Sequence, residues 1–463
     1  MQHDRRTPAS PEGTGAAALP GRHFRVPRRW PKVLLGAGLT AAVAVAGGIV
    51  YAGATAVQIN SNIHRSGILV DPAQSIQAVP KLTADTNILI MGMDSRLGED
   101  GKPLPQDVYD ALHAGGDDVG GYNSNVLMLV HIPADGSKAT AISIPRDDYV
   151  VTAGFPGAGF KAKIKEAYGY ALAAEQATLL RQGKPNDDAT YQESRDAGRK
   201  AEIATVTKFL GSVHIDHFVE VTMAAFYQVA QVIAPITVCI NRATKDTFSG
   251  ADFKAGTQQI DAKQAVAFVR QRRDTSDPYY FFTDLDRERR QQAFIASVLH
   301  QLKQAGTLTD IPKMQSVFDA VSKNIAVDSG LDLIQLAQQA TSLTGGNISF
   351  TTLPITGFGT SPEGASINTV DVAQVQATVK SLLAPPSASA TPTPGSSTAA
   401  AVPAVVGTPA ATDPAATTPS GVAPGAPAGS GAGGATTATP SPTQNSYADW
   451  TGALQGGGIP CVK

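Results

Sequence analysis

NVLMLVHIPADGSKATAISIPR, residues 125 to 146, decides the fold. Two apolar runs, NVLMLVHI and KATAISIP, flank PADGS, a five-residue connection whose Asp-Gly suits a hairpin turn. Upstream, TNILIMGMD (86 to 94) is a continuous apolar run, the pattern of a strand buried on both faces. A hairpin centred near Asp135 sets Asn125 across from Pro145 and Arg146. If 86–94 runs parallel to 138–145, Asp94 and Arg96 leave their strand at the same edge, where ligands bind in open α/β sheets. Helical periods follow at 163–182 and 191–211, then a strand–helix–strand passage at 217–240 and a helix from about 261 with Asp261 as N-cap. The expected fold class is α/β, a mixed central sheet flanked by helices.

Around that core the 463-residue chain changes composition several times. Residues 33 to 57 carry no charge and reach the roughly 20 residues that span a bilayer. Arg22, Arg25, Arg28, Arg29 and Lys32 precede them, so the positive-inside rule leaves the N-terminus in the cytoplasm and the rest outside. A cleaved signal peptide, with Ala52 and Ala54 near the cut, is the alternative. The expected plan is a cytoplasmic tail (1–32), a transmembrane anchor (33–57), a stalk (58–83) and an extracytoplasmic globular domain (84–383). An Ala/Pro/Ser/Thr-rich linker (384–445) and a C-terminal tail (446–463) complete it. A formal charge of −2 gives no support to nucleic-acid binding. Outside the membrane Cys239 and Cys461 can form a disulfide that docks the tail; two unrelated thiols are the other reading. No GxxxxGK[ST] loop is present, which argues against ATP as a donor.

RQRRDTSDPYYFFTDLDRERRQQ, residues 270 to 292, holds six arginines at a net charge of only +1. Read as a helix from 284, its core stripe is Phe294, Ile295, Val298 and Leu302, and Arg287, Arg290 and Gln291 continue that stripe toward the N-terminus while Arg289 points away. That places guanidinium groups on the buried side, at the helix end that favours anions. Arg270 and Arg272, two apart, face one way in an extended segment and Arg273 the other. Local carboxylates can pair some of these arginines; the remainder favour a phosphate-rich ligand. Tyr279, Tyr280, Phe281 and Phe282 form either an aromatic platform or loop packing.

ILIMGMDSR, NSNVLMLVHI, AISIPRDDYV, KIKEAYGYA, AFVRQRR and DLDRERRQQAF, in that order, resemble the LytR-CpsA-Psr family over roughly 84 to 300. The resemblance implies an extracytoplasmic α/β sandwich that takes a polyprenyl pyrophosphate-linked glycan, its lipid tail in an apolar cavity. It implies transfer of an anionic glycopolymer, such as a teichoic acid, as a glycan-phosphate to a peptidoglycan hydroxyl, usually with Mg²⁺. By motif, Arg146, Lys163, Arg270, Arg272, Arg287 and Gln291 would grip the pyrophosphate. Asp94, Arg96 and Arg146 would be catalytic, Asp94 as metal ligand or proton acceptor. Asp94 and Asn125 would hold the metal. The family's usual RSDT reads Asn123-Ser124-Asn125-Val126 here, so one metal-site carboxylate is an amide, which puts strict Mg²⁺ dependence in doubt. Two rivals keep the same cradle: a catalytically weak binding protein for the lipid, and a pyrophosphate hydrolase. The insertion 98–122 is expected to be a solvated surface loop, with a mobile lid as the alternative.

Overall fold

The computed structural model describes residues 63–69, 85–385 except 114, 116–120, 155–156, 158, 278, 281, 307–318, 320–321, 332–335 and 337–346, and 452–463. The expected cytoplasmic tail and anchor, nearly all of the linker and most of the stalk lie outside these. Among the described residues no helix is long and apolar enough to cross a membrane.

The elements run β1 (His64–Ser66), β2 (Thr86–Met93), α1 (Gln106–Leu112), β3 (Ser124–Ile132), β4 (Ala139–Ser143), β5 (Tyr149–Val151), β6 (Lys161–Lys163), α2 (Glu166–Arg181) and α3 (Asp188–Phe209). Then come β7 (His217–Val221), α4 (Met223–Ile233), β8 (Ile236–Ile240), β9 (Thr244–Asp246), β10 (Ala251–Phe253), β11 (Gly256–Ile260), α5 (Ala262–Arg270) and α6 (Asp284–Gln304). The last are β12 (Ile325–Asp328), β13 (Ile348–Thr352), β14 (Gly357–Thr360), β15 (Ser366–Thr369), α7 (Val372–Leu382), β16 (Leu454–Gln455) and β17 (Cys461–Val462).

The central sheet has eight strands in the order β1-β12-β7-β2-β3-β4-β13-β16. It is mixed: β2 is antiparallel to β3 and β3 to β4, so β2 and β4 run parallel. The period-two alternation of these strands divides the core. Ile88 of β2 and Met128 of β3 pack with α4, α5 and α6 on one face. Leu89, Met91, Leu127 and Leu129 pack with α2, α3 and α7 on the other. The strand–helix–strand reading of 217–240 holds, but β8 leaves the central sheet and pairs with β11 and β17.

Cys461 is disulfide-bonded to Cys239, and β17 lies parallel to β8 with those two residues in register. The tail also adds β16 to the edge of the central sheet, beside β13. Docking it answers part of the arginine question. Arg290 is fully buried; its Nε donates to the Lys463 carbonyl at 2.6 Å and its Nη1 to Gln271 Oε1 at 2.7 Å. The rings of Phe253, Phe268 and Phe282 surround that guanidinium, so Arg290 is a structural cation. Phe282 is therefore loop packing, whereas Tyr279 is 94% exposed and Phe281 lies outside the described residues.

Over 98–113 the insertion is only in part the solvated loop expected from its polarity. Tyr109, Ala111 and Leu112 of α1 are buried in the core. Glu99 is buried too, paired with Arg195 at 2.9 Å and Arg199 at 2.7 Å. Both arginines also bind Glu220 of β7, and none of the three has any exposed side-chain surface. Of the insertion's polar residues Glu99 serves an internal ion network, whereas Asp100, Lys102, Gln106, Asp107 and Asp110 are exposed.

Candidate functional site

The hairpin register pairs Met128 with Ser143 and Leu129 with Ile142, and the same register carried outward sets Asn125 against Arg146. The ends of β2 and β4 and the start of β3 thus meet at one edge. A cavity of about 290 Å³ opens there, lined by Asp94, Arg96, Asn125, Arg146, Arg270, Arg272 and Arg287, with Asp246, Phe248, Ser249 and Arg273 on its remaining wall.

Asp94 reaches this cavity because the β2–β3 ladder slips between Gly92 and Met93. A bulge there re-aims the chain. Gly92 is required at this point: a Cβ on it would stand 2.8 Å from that of Val126. Arg96 folds back on Asp94, its Nη1 donating to the carboxylate at 2.5 Å and to the Asp94 carbonyl at 2.8 Å. Tyr109 Oη donates to the Arg96 carbonyl at 2.9 Å, and Glu99 ties the same loop to Arg195 and Arg199. The buried network therefore fixes the segment that carries Asp94 and Arg96.

Arg146 and Arg287 form the second feature. Asp284, the first residue of α6, accepts from Arg146 Nε and Nη2 at 3.0 Å each and from Arg287 Nη2 at 2.8 Å. Burial alone would raise the Asp284 pKa, but Arg287 and Arg146 more than offset it and hold the carboxyl below its usual range. The Arg287 guanidinium is pushed down to about 10, by burial first and then by Arg146. Arg287 stays charged at neutral pH, at the positive end of a helix. Asp284 was not singled out from sequence, although its i,i+3 spacing to Arg287 was a usable signal.

The other expected residues divide. Arg270, last in α5, donates through Nη1 to the Leu112 carbonyl at 2.5 Å, so it caps α1 as well as lining the cavity. Arg272 is exposed and, among the described residues, has no hydrogen bond or ion pair. Arg273 also lines the cavity, contrary to the alternation expected of an extended segment, because the chain turns at Asp274, which accepts from Ser276 N and Lys245 N. Lys163 lies in an adjoining cavity of about 330 Å³, which shares Arg146 and Arg272 with the first. There Asp147 stands 3.7 Å from Lys163 Nζ and 2.7 Å from Lys165 Nζ. Gln291 is not among the residues lining either cavity; its amide donates to the Val269 carbonyl at 3.3 Å.

Among the described residues no three His, Cys, Asp or Glu stand close enough to hold a metal. A hard cation nonetheless has two oxygen donors in the main cavity. Asn125 Oδ1 is buried with no hydrogen-bond partner among the described residues, and Asp94 lines the same cavity. An orphaned amide oxygen and a carboxylate lining one cavity fit Mg²⁺, which is usually bound through one or two carboxylates plus the phosphates of its substrate.

The LytR_cpsA_psr family model matches residues 49–383. The chain belongs to this family. It is similar to the cell wall biosynthesis protein LcpA of Corynebacterium glutamicum, 36% identical over 293 residues, 63% of this chain and 54% of that protein. It is 27% identical over 341 residues to the polyisoprenyl-teichoic acid–peptidoglycan teichoic acid transferase TagU of Oceanobacillus iheyensis, covering 73% of this chain and 88% of that one. The chain thus spans about half the length of the LcpA relative. Among solved structures, a LytR-Csp2A-Psr enzyme from Actinomyces oris aligns over 69% of this chain and 96% of its own, with a TM-score of 0.43 and 18% identity. Within this family membership, the arginine-lined cavity at the sheet edge is the candidate site.

Proposed function

We propose that the protein transfers a glycan-phosphate from a polyprenyl pyrophosphate carrier to a peptidoglycan hydroxyl, as a membrane-anchored exterior enzyme. The observation that carries this is the convergence of Asp94, Asn125, Arg146, Arg270, Arg272 and Arg287 on one cavity. Forked guanidinium donors match a pyrophosphate and neutralise the charge that grows on it as a P–O bond breaks. The acceptor hydroxyl oxygen attacks the sugar-side phosphorus, the bond from that phosphorus to the bridging oxygen breaks, and the hydroxyl proton leaves with the released phosphate or to solvent. Polyprenyl phosphate leaves and a phosphodiester joins glycan to peptidoglycan. Asp94, held by Arg96, and the free Asn125 Oδ1 would hold Mg²⁺. The ion would supply further charge neutralisation at the phosphates. An exterior location is supported by the uncharged 33–57 span and by the Cys239–Cys461 bond, since disulfides persist in oxidising compartments.

Asn125 also favours a second reading, a lipid-binding protein of weak activity, because an amide adds no charge to a metal site. Asn125→Asp separates the two. In the transferase, the Mg²⁺ concentration for half-maximal turnover falls about tenfold, the size of one added near charge. In the binding protein, the wild type binds lipid without converting it and N125D gains turnover. Turnover indifferent to Mg²⁺ in both forms removes the metal from the account.

A further inference from the structure

One part of the main cavity's lining is unlike the rest. Phe248, in the turn between β9 and β10, is 64% exposed, yet it lines the same cavity as Arg146 and Arg287. The Arg273 guanidinium stacks on its ring, 4.1 Å from the centroid. This pair is held in place from both sides. Asp246, 2% exposed, accepts from Phe248 N at 3.0 Å and from Ser249 Oγ at 2.9 Å. The arginine segment is fastened to β9, with Thr275 N donating to the Lys245 carbonyl at 2.6 Å and Lys245 N to Asp274 at 3.2 Å. The exposure of Phe248 is therefore imposed by its turn.

We propose that Phe248 and Arg273 form a sugar subsite, which takes the pyranose attached directly to the pyrophosphate. This rests on the function proposed above. With the pyrophosphate in the arginine row, its first sugar is one oxygen away and must meet a neighbouring wall. A pyranose offers an apolar face of C–H groups to an aromatic ring and hydroxyls around its edge. The Phe248–Arg273 stack presents the ring, and Arg273 and the Ser249 hydroxyl, which has already given its hydrogen to Asp246, line the same cavity. A prenyl chain, wholly apolar, gains nothing from a guanidinium and a hydroxyl there.

The test is calorimetric titration of the full-length protein with two ligands: farnesyl pyrophosphate, and the same lipid with one glucopyranose on its terminal phosphate. The wild type binds the sugar-bearing lipid about tenfold more tightly, equivalent to about 1.4 kcal/mol. Phe248→Ala loses that advantage and keeps its affinity for farnesyl pyrophosphate, while Phe248→Trp retains both. Equal losses for both ligands in F248A would overturn the subsite and assign the ring to the lipid or to packing. No binding of either ligand by the wild type would instead overturn the pyrophosphate reading, and the subsite with it.

Discussion

Arg146→Lys lowers the kcat/KM of transfer by about 10²–10³ while the fold survives. Lysine keeps the charge but cannot reproduce the geometry. Arg146 gives Nε and Nη2 to Asp284, which also holds Arg287, so one carboxylate sets two guanidinium groups beside the cavity. An ammonium group has no planar fork, so it cannot hold Asp284 in two places while keeping a donor for the phosphate. Arg287 would then be left with a partner free to turn. The expected signature is a fall mainly in kcat, with a smaller rise in KM for the lipid, because the charge that attracts the ground state remains. A loss of less than tenfold would show that Arg146 acts as a point charge and that the Asp284 clamp is incidental.

The largest effect on stability is expected at Glu220, far from any phosphate. Burial alone would raise its pKa, but Arg195 and Arg199 more than offset this and hold it at about 2. Its folded pKa lies below the unfolded value, so its contribution is complete above about pH 4.5 and is lost as the pH falls toward 2. Glu220→Ala leaves two fully buried guanidinium groups sharing Glu99 and Asp196. Breaking a buried ion network in this way costs about 3–5 kcal/mol. Thermal unfolding by circular dichroism at pH 7 should show Tm lower by about 5–10 °C. A shift under about 1 °C would mean that water reaches these arginines. Because Glu99 belongs to the same network, E220A should also reduce transfer through the Asp94–Arg96 segment.

What the sequence made legible follows from periodicity and spacing. The hairpin register came from two apolar runs and an Asp-Gly turn, and it alone placed Asn125 and Arg146 at one edge. The stripe of α6 put Arg287 and Arg290 on the buried side, and both are buried. Periodicity could not separate their tasks, because the difference lies in distant partners: Arg287 meets Asp284 and the cavity, and Arg290 meets the C-terminal carbonyl. Arg273 was misplaced because a two-residue alternation assumes an extended chain, and Asp274 turns it. Lys163 and Gln291 were carried over by motif, and in this chain they face the adjoining cavity and a backbone carbonyl. Glu99 and the Phe248 wall gave no local signal. Their roles depend on Arg195, Arg199 and Arg273, which come together only in the folded chain.

The most direct test uses the full-length protein in detergent with a synthetic polyprenyl-pyrophosphate disaccharide and a peptidoglycan oligomer, the products followed by mass spectrometry. Arg272→Ala is the control, because Arg272 is exposed and, among the described residues, has no hydrogen bond or ion pair to lose. The expected result is an oligomer heavier by one disaccharide-phosphate, formed in step with polyprenyl phosphate and reduced at least about tenfold in the control. Polyprenyl phosphate released with free disaccharide-phosphate, and no change in the oligomer, would contradict transfer and make the protein a hydrolase.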